Sequence, residues 1–167
     1  MVCLVWNFIG VTLAWAGGAI PDDAAAAWFL AALYLVCGAP LGFLFWYMRL
    51  YEATQKDKAL TYASYFLFKF IHVVYCGWAA VGPPLGAYAG SAFVGFMPMV
   101  EFAFKHSTWL GVIYVIGSSF WGIECLFSFW NIKLVYFRFR AAGGREKFQE
   151  EAQQARNDAA RTAAGFS

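Results

Sequence analysis

WYMRLYEATQKDKALTY, residues 46–62, is a short polar stretch between two long apolar runs. Trp46, Tyr47 and Tyr51 edge it on one side and Tyr62 on the other, and Arg49, Lys56 and Lys58 stand against Glu52 and Asp57. The chain then turns apolar again, as FLFKFIHVVYCGW. Tyr and Trp rings settle at the headgroup level of a bilayer, and Lys and Arg mark short connections on the cytoplasmic side. The stretch therefore reads as an aromatic belt around a short cytoplasmic loop pressed against a membrane.

Composition supports that reading. The chain is 62% apolar, 21% aromatic and 13% charged, against about 25% charged in an ordinary soluble domain. So few charges could not keep this much Phe, Trp and Leu in water. Cys3, Cys37, Cys76 and Cys125 each lie inside an apolar run and read as small buried thiols. Neither a cleavable signal peptide nor a Cys/His spacing suited to zinc is present.

A spanning helix needs about 20 mostly apolar residues. Ala24–Tyr47, Tyr62 to Leu85 and Thr108–Val135 satisfy this. Met1–Ala16 is short by several residues and reads as a first span that is cut short, as in a chain beginning inside a span. The expected fold is an all-α membrane protein: a four-helix transmembrane bundle over residues 1–140, then a cytoplasmic helical or disordered tail over 141–167. The connections are GGAIPDD (17–23), the 48–60 loop, and a glycine-rich, aromatic stretch at 86–107 ending FVGFMPMVEFAFKH, expected to lie in the membrane interface. The 48–60 loop and the tail carry most of the Lys and Arg, including Arg138, Arg140, Arg145, Lys147, Arg156 and Arg161. Both regions, and both termini, are expected on the cytoplasmic side.

Ionisable residues inside spans are costly, roughly 2.5–3.5 kcal/mol each at the centre on insertion scales. Lys69 and His72 share one helix face, and Glu124 sits near the middle of the last span. If those spans are antiparallel neighbours, His72 and Glu124 meet at one depth, while Lys69 snorkels or reaches toward Asn131. Two roles are open to Lys69, His72, Glu124 and Asn131: a polar clasp between helices, which is favoured, and an ion or proton path. Gly117, Trp121, Glu124, Ser128 and Asn131 form one face of the last span, and Asn7 with Gly10 does the same for the first. Pro40, between Gly38 and Gly42, kinks the second. After Gly143 and Gly144 the tail is Ala-, Glu-, Gln- and Arg-rich, and reads as a solvated, frayed helix. Lys133, Arg138, Arg140 and Arg145 just before it are placed to attract anionic lipid.

An ordered set of segments resembles the secretory carrier membrane proteins, above all the plant type. LVWNFIGVTLAW is similar to the end of that family's first span, and CGAPLGFLFWYMRLY to its second span and signature loop. ALTYASYFLFKFIHVVYCGWAAVGPP and LGVIYVIGSSFWGIECLFSFWNIKLVYFRFR resemble the third and fourth. The resemblance implies a four-span protein of post-Golgi carrier membranes, recycling among trans-Golgi, endosomes and plasma membrane, acting in exocytosis, endocytosis and protein transport, and not an enzyme. It implies a loop that contacts phosphoinositides or other anionic lipids. The lipid-binding candidates are Trp46, Tyr47, Arg49, Tyr51, Lys56 and Lys58, with Arg138 and Arg140 from the tail. It also implies vesicle-trafficking partners; self-association is expected through the small-residue faces, and neither cofactor, metal nor nucleic acid is expected. The chain departs from the family in reading WYMR where the family reads Trp-Tyr-Arg-Pro, in Glu52 and Gln55, in Lys69, and in having no Asn-Pro-Phe motif. The alternative function is a small proton- or ion-coupled transporter or channel subunit using Lys69, His72 and Glu124.

Overall fold

In a computed structural model of the chain, residues 1–19, 24–56, 58–83, 92–105 and 107–165 are described. The described residues are helical almost throughout. Helix α1 is Val2–Ala16 and α2 is Ala24–Gly42, which passes into a π-helical segment, Phe43–Met48, and then α3, Arg49–Lys56. Helix α4 is Ala59–Val81, α5 is Phe96–Lys105, α6 is Thr108–Ala141 and α7 is Gly144–Gly165. Three stretches are long and apolar enough to cross a membrane: Ala25–Gln55, Ala59–Val81 and Thr108–Ala141. Helix α1 is apolar and shorter, at 15 residues. The protein is an all-α membrane protein.

The spans pack as the sequence pattern directs. On α6, Tyr114, Trp121, Ser128 and Val135 recur at heptad spacing and are all buried, the period that keeps one seam of a helix against a neighbour. Trp121 of this seam meets Tyr75 of α4 and Tyr114 meets Phe102 of α5; α4 runs antiparallel to α6, as Ser118 Oγ donates to the Ala80 carbonyl at 2.9 Å and the Tyr62 and Phe139 rings lie 5.1 Å apart at the other end. Helix α1 lies along α6, where Trp6 Nε1 donates to the Ile113 carbonyl at 3.1 Å. Helix α2 lies on α1, where Trp28 Nε1 donates to Thr12 Oγ1 at 3.0 Å.

The expectation that 86–107 lies in the interface needs correcting at 92–95; residues 84–91 and 106 lie outside the described residues, and the amphipathic end forms α5 with Phe96, Met97 and Phe104 exposed. Ala92, Phe93, Val94 and Gly95 are buried at the centre of the bundle. Their backbone is not helical, and an apolar medium offers it no water, so its polar groups need protein partners. Asn7 supplies them: its Nδ2 donates to the Ala92 carbonyl and its Oδ1 accepts from the Val94 N–H, both at 2.9 Å. Val94 is wedged between two helices that are glycine where it meets them. A Cβ on Gly10 would lie 2.3 Å from one Val94 methyl, and a Cβ on Gly117 2.5 Å from the other. Phe93 stacks on Tyr34 at 5.1 Å and meets Tyr75 and Trp121 edge-on. At about 1.5 Å per residue, Gly117 lies roughly 14 Å along α6 from Thr108. The segment therefore enters the helical bundle to the level of Gly117, about two and a half turns into α6. It meets the end of α4 at a glycine pair, where a Cβ on Gly95 would sit 2.5 Å from the Gly82 Cα. Gly82 has a left-handed φ of 60°, and its N–H closes α4 on the Trp78 carbonyl.

Two further expectations are resolved. The 48–60 loop is helical to Lys56: no Gly or Pro interrupts 43–56, and Ala53 is buried. The second span thus runs on past Tyr47 to Lys56. Of the helical and disordered alternatives the tail takes the helical one, Gly144–Gly165, solvent-exposed over 153–165 and with its first turns docked on the bundle. The α6–α7 joint turns at Gly143, whose φ is +72°.

Replacing Asn7 with Leu strands one buried carbonyl and one buried N–H. It should destabilise the protein by about 3 kcal/mol or more, read from unfolding in detergent micelles. Asn7→Asp should rescue it only while the carboxyl is protonated, because an ionised carboxylate cannot donate to the Ala92 carbonyl.

Candidate functional site

Two places on the molecule gather chemistry-bearing side chains. The first lies inside the bundle where the π-helical segment passes α4. Pro40 lacks an N–H and crowds the preceding turn, and the widened turn of 43–48 follows at once. A π turn rotates the residues beyond it relative to a straight α-helix, and such turns are frequent at functional sites. Here it presents Trp46 to α4. The Trp46 ring centroid is 3.8 Å from that of His72, and Lys69 Nζ is 5.0 Å from the Trp46 centroid, in cation–π range. On its other side His72 Nε2 is 3.5 Å from Glu124 Oε1, and Cys76 Sγ is 3.4 Å from the same nitrogen. Lys69 and His72 are buried. The Glu124 side chain is 41% exposed, so the pair is not sealed from its surroundings.

Lys69, His72 and Glu124 thus come together, with Trp46 as a partner that the sequence did not assign to them. Two expectations fall here. Trp46 was assigned to the lipid-contacting loop, yet the π turn brings its ring inward against His72. Asn131 was placed in the clasp, yet it is exposed on α6 and makes no hydrogen bond among the described residues. Its position relative to Ser128 carries it off the buried seam. Among the described residues no three of His, Cys, Asp and Glu converge as metal ligands.

The second place is the end of the bundle that holds the α3–α4 turn and the last turn of α6. Lys58, Arg138 and Arg140 are exposed there, and Tyr47, Arg49 and Tyr51 are exposed along the helix that leads up to it. The Lys56 side chain lies outside what is described. Tyr47 stacks on Phe43 at 5.3 Å, which holds its ring on the outer side of the helix. Arg138 and Arg140 lie in the last turn of α6, where a cation is favoured by the helix dipole. Helix α7 folds back over this end. Glu151 accepts from the backbone N–H of Ala59 at 3.0 Å and of Leu60 at 3.1 Å, one with each carboxylate oxygen. Those are the first amides of α4, which its own helix leaves unpaired. Sequence reading missed Glu151 because its partners are backbone groups 92 and 91 residues away.

Comparison with known proteins places this architecture. The family model described as "SCAMP family" matches residues 1–142. The chain is 37% identical over 150 residues to secretory carrier-associated membrane protein 2 of Arabidopsis thaliana, covering 90% of this chain and 51% of that protein. It is 34% identical over 163 residues to the Arabidopsis protein numbered 5, covering 98% and 52%. It is 34% identical over 152 residues to a secretory carrier-associated membrane protein of Pisum sativum, covering 91% and 50%. The chain spans about half the length of these relatives. No solved structure matches it.

A double-mutant cycle on His72→Ala and Glu124→Ala should return a coupling of about 1 kcal/mol, in the range of interhelical polar contacts in membranes. Asn131→Leu should change stability by less than about 0.5 kcal/mol. Both are read from the same micellar unfolding assay.

Proposed function

The chain belongs to the SCAMP family, and on that premise we propose that it works in secretory-carrier traffic as a membrane protein whose cytoplasmic end contacts anionic lipid. The carrying observation is the exposed Lys58 at the start of α4 beside Arg138 and Arg140 in the last turn of α6, with Arg49 and Tyr51 exposed on the helix leading up to them. Aromatic rings at that level anchor in the headgroup layer. Each Lys or Arg close to an anionic leaflet contributes about 1 kcal/mol, fading within a Debye length. The relatives' printed names support carrier membranes as the setting. Within it, the reading is of post-Golgi vesicles, endosomes and plasma membrane, with exocytosis and endocytosis as the processes and both termini cytoplasmic. The partners are anionic lipids or phosphoinositides, vesicle-trafficking proteins and a second copy of the chain. No catalytic step belongs to this reading.

Because Trp46 turns inward, the lipid surface is narrower than the whole aromatic belt. It is carried by Arg49, Tyr51 and Lys58 with the end of α6. Lys69, His72, Glu124 and Trp46 act as an intramembrane clasp that holds α2 and α6 to α4. A second reading, proton or ion transport through the same residues, draws on the partial exposure of Glu124. It predicts a pH-dependent flux in proteoliposomes that Glu124→Gln abolishes; the clasp predicts flux at the lipid background.

Full-length protein in neutral nanodiscs should capture phosphoinositide-containing vesicles in a salt-sensitive way. Arg49→Ala should weaken capture about fivefold, as loss of one surface cation implies. Trp46→Ala should lower stability more than capture. Capture indifferent to salt and to Arg49 would contradict the lipid-contacting surface.

A further inference from the structure

Trp109 and Trp130 of α6 are both exposed, and they lie 21 residues apart. At about 1.5 Å per residue that is roughly 31 Å, matching a hydrocarbon core of about 30 Å. Trp rings settle at the two edges of such a core, so the pair marks where α6 enters and leaves lipid. Lys133, three residues beyond Trp130, is the first Lys or Arg of α6. It stands at the phosphate level of that leaflet, and it faces away from the bundle. The buried seam of α6 runs through Ser128 and Val135, and at about 100° per residue Lys133 is turned about 160° from Val135.

On this outer wall the ammonium is held in place. Lys133 Nζ lies 5.7 Å from the Trp130 centroid and 5.9 Å from that of Phe137, one ring a turn before it and the other a turn after. Such contacts restrain a charge that otherwise sweeps on a flexible four-carbon stem. Lys133 and both rings are exposed. Two turns farther on, about 10 Å along the axis, Arg140 is exposed on the same face. Toward the core the face continues as Phe129 and Leu126, apolar and exposed. Residues 125–141 contain no Asp or Glu, and among the described residues neither Lys133 nor Arg140 forms an ion pair. Lys105, by contrast, is neutralised by Glu101 at 3.0 Å. A fixed cation on a wall that meets lipid, with no acid of the chain beside it, is complementary to the phosphate of a lipid.

We propose that the outer wall of α6 holds one anionic phospholipid of the surrounding leaflet. Its phosphate is on Lys133 between Trp130 and Phe137, its headgroup reaches toward Arg140, and its acyl chains lie along Phe129 and Leu126. Phosphatidylcholine ends in a quaternary ammonium, like in charge to Arg140, and is disfavoured. The lipid belongs to the membrane the protein occupies. The site shares Arg140 with the lipid-contacting end described above and otherwise stands without it.

Native mass spectrometry of the full chain released from nanodiscs counts the lipid that stays bound. The discs are phosphatidylcholine with or without phosphatidylserine, and vesicle capture is measured on the same samples. Wild type should retain one phosphatidylserine, and phosphatidylcholine at least about fivefold less. Lys133→Ala should lower phosphatidylserine retention about fivefold, Lys133→Arg should keep it, and Trp130→Leu should lower it about twofold or more. Lys105→Ala should leave it unchanged. Equal retention by wild type and Lys133→Ala, or equal retention of the two lipids, overturns the site. Retention that follows Lys133 but ignores Trp130→Leu also overturns it, leaving diffuse attraction to a basic helix end. Retention intact with vesicle capture absent overturns the lipid-contacting reading and leaves this site standing.

Discussion

The Asn7 side chain hydrogen-bonds both ways along a non-helical stretch of chain, in a medium that offers that chain no water. Unsatisfied backbone groups there cost several kcal/mol each, and irregular backbone at membrane depth survives only when enclosed by protein. Asn is suited to the task because one side chain both donates and accepts. Once Ala92 and Val94 are tied to α1, Phe93 falls among Tyr34, Tyr75 and Trp121, one ring from each of the other long helices. Val94 then fills the holes at Gly10 and Gly117. One short segment thus touches every long helix of the bundle. Without the Asn7 clamp its inward path carries unpaired polar groups, and the helices lose what they pack around.

The central packing fixes the distance between the helices and so the position of everything nearer the α3–α4 turn. Helix α4 is held to α6 by a register that sets His72 beside Glu124 and leaves room for Trp46 to close over His72 and Lys69. The π turn is the adjustment that lets a proline-bearing helix reach that contact. Beyond it α3 continues the same helix, carrying Tyr47, Arg49 and Tyr51 outward. Buried polar contacts and exposed basic residues are successive levels of one helix pair.

The spans were legible because about 20 apolar residues with aromatic and basic edges have few other meanings. His72 and Glu124 were placed together from depth alone, since antiparallel neighbours of known length leave little choice. Other features depend on rotation or on distant backbone, which spacing does not encode. Trp46 reads as a belt residue until the π turn redirects it. Asn131 reads as part of a polar face, but the seam follows Tyr114, Trp121, Ser128 and Val135 and leaves it outside. The 86–107 stretch has the aromatic content of an interface segment. Only the pairing of Ala92 and Val94 with Asn7, 85 and 87 residues away, shows residues 92–95 turning inward. The helical run to Lys56 was hidden by its charge, which suggests a loop, although its residues are good helix formers. Glu151 gave no signal, because its partners are main-chain amides.

The most direct test is whether Val94 is enclosed within the membrane. Val94→Cys is placed in a chain whose native cysteines are replaced by Ala or Ser, and reconstituted vesicles are treated from either side with a membrane-impermeant thiol reagent. Arg49→Cys serves as the accessible control. The structure predicts that Cys at 94 stays unmodified from both sides until the protein is denatured, and that adding Asn7→Leu opens it to reagent. Rapid modification of Cys at 94 from one face in the otherwise intact protein would contradict a buried segment clamped by Asn7.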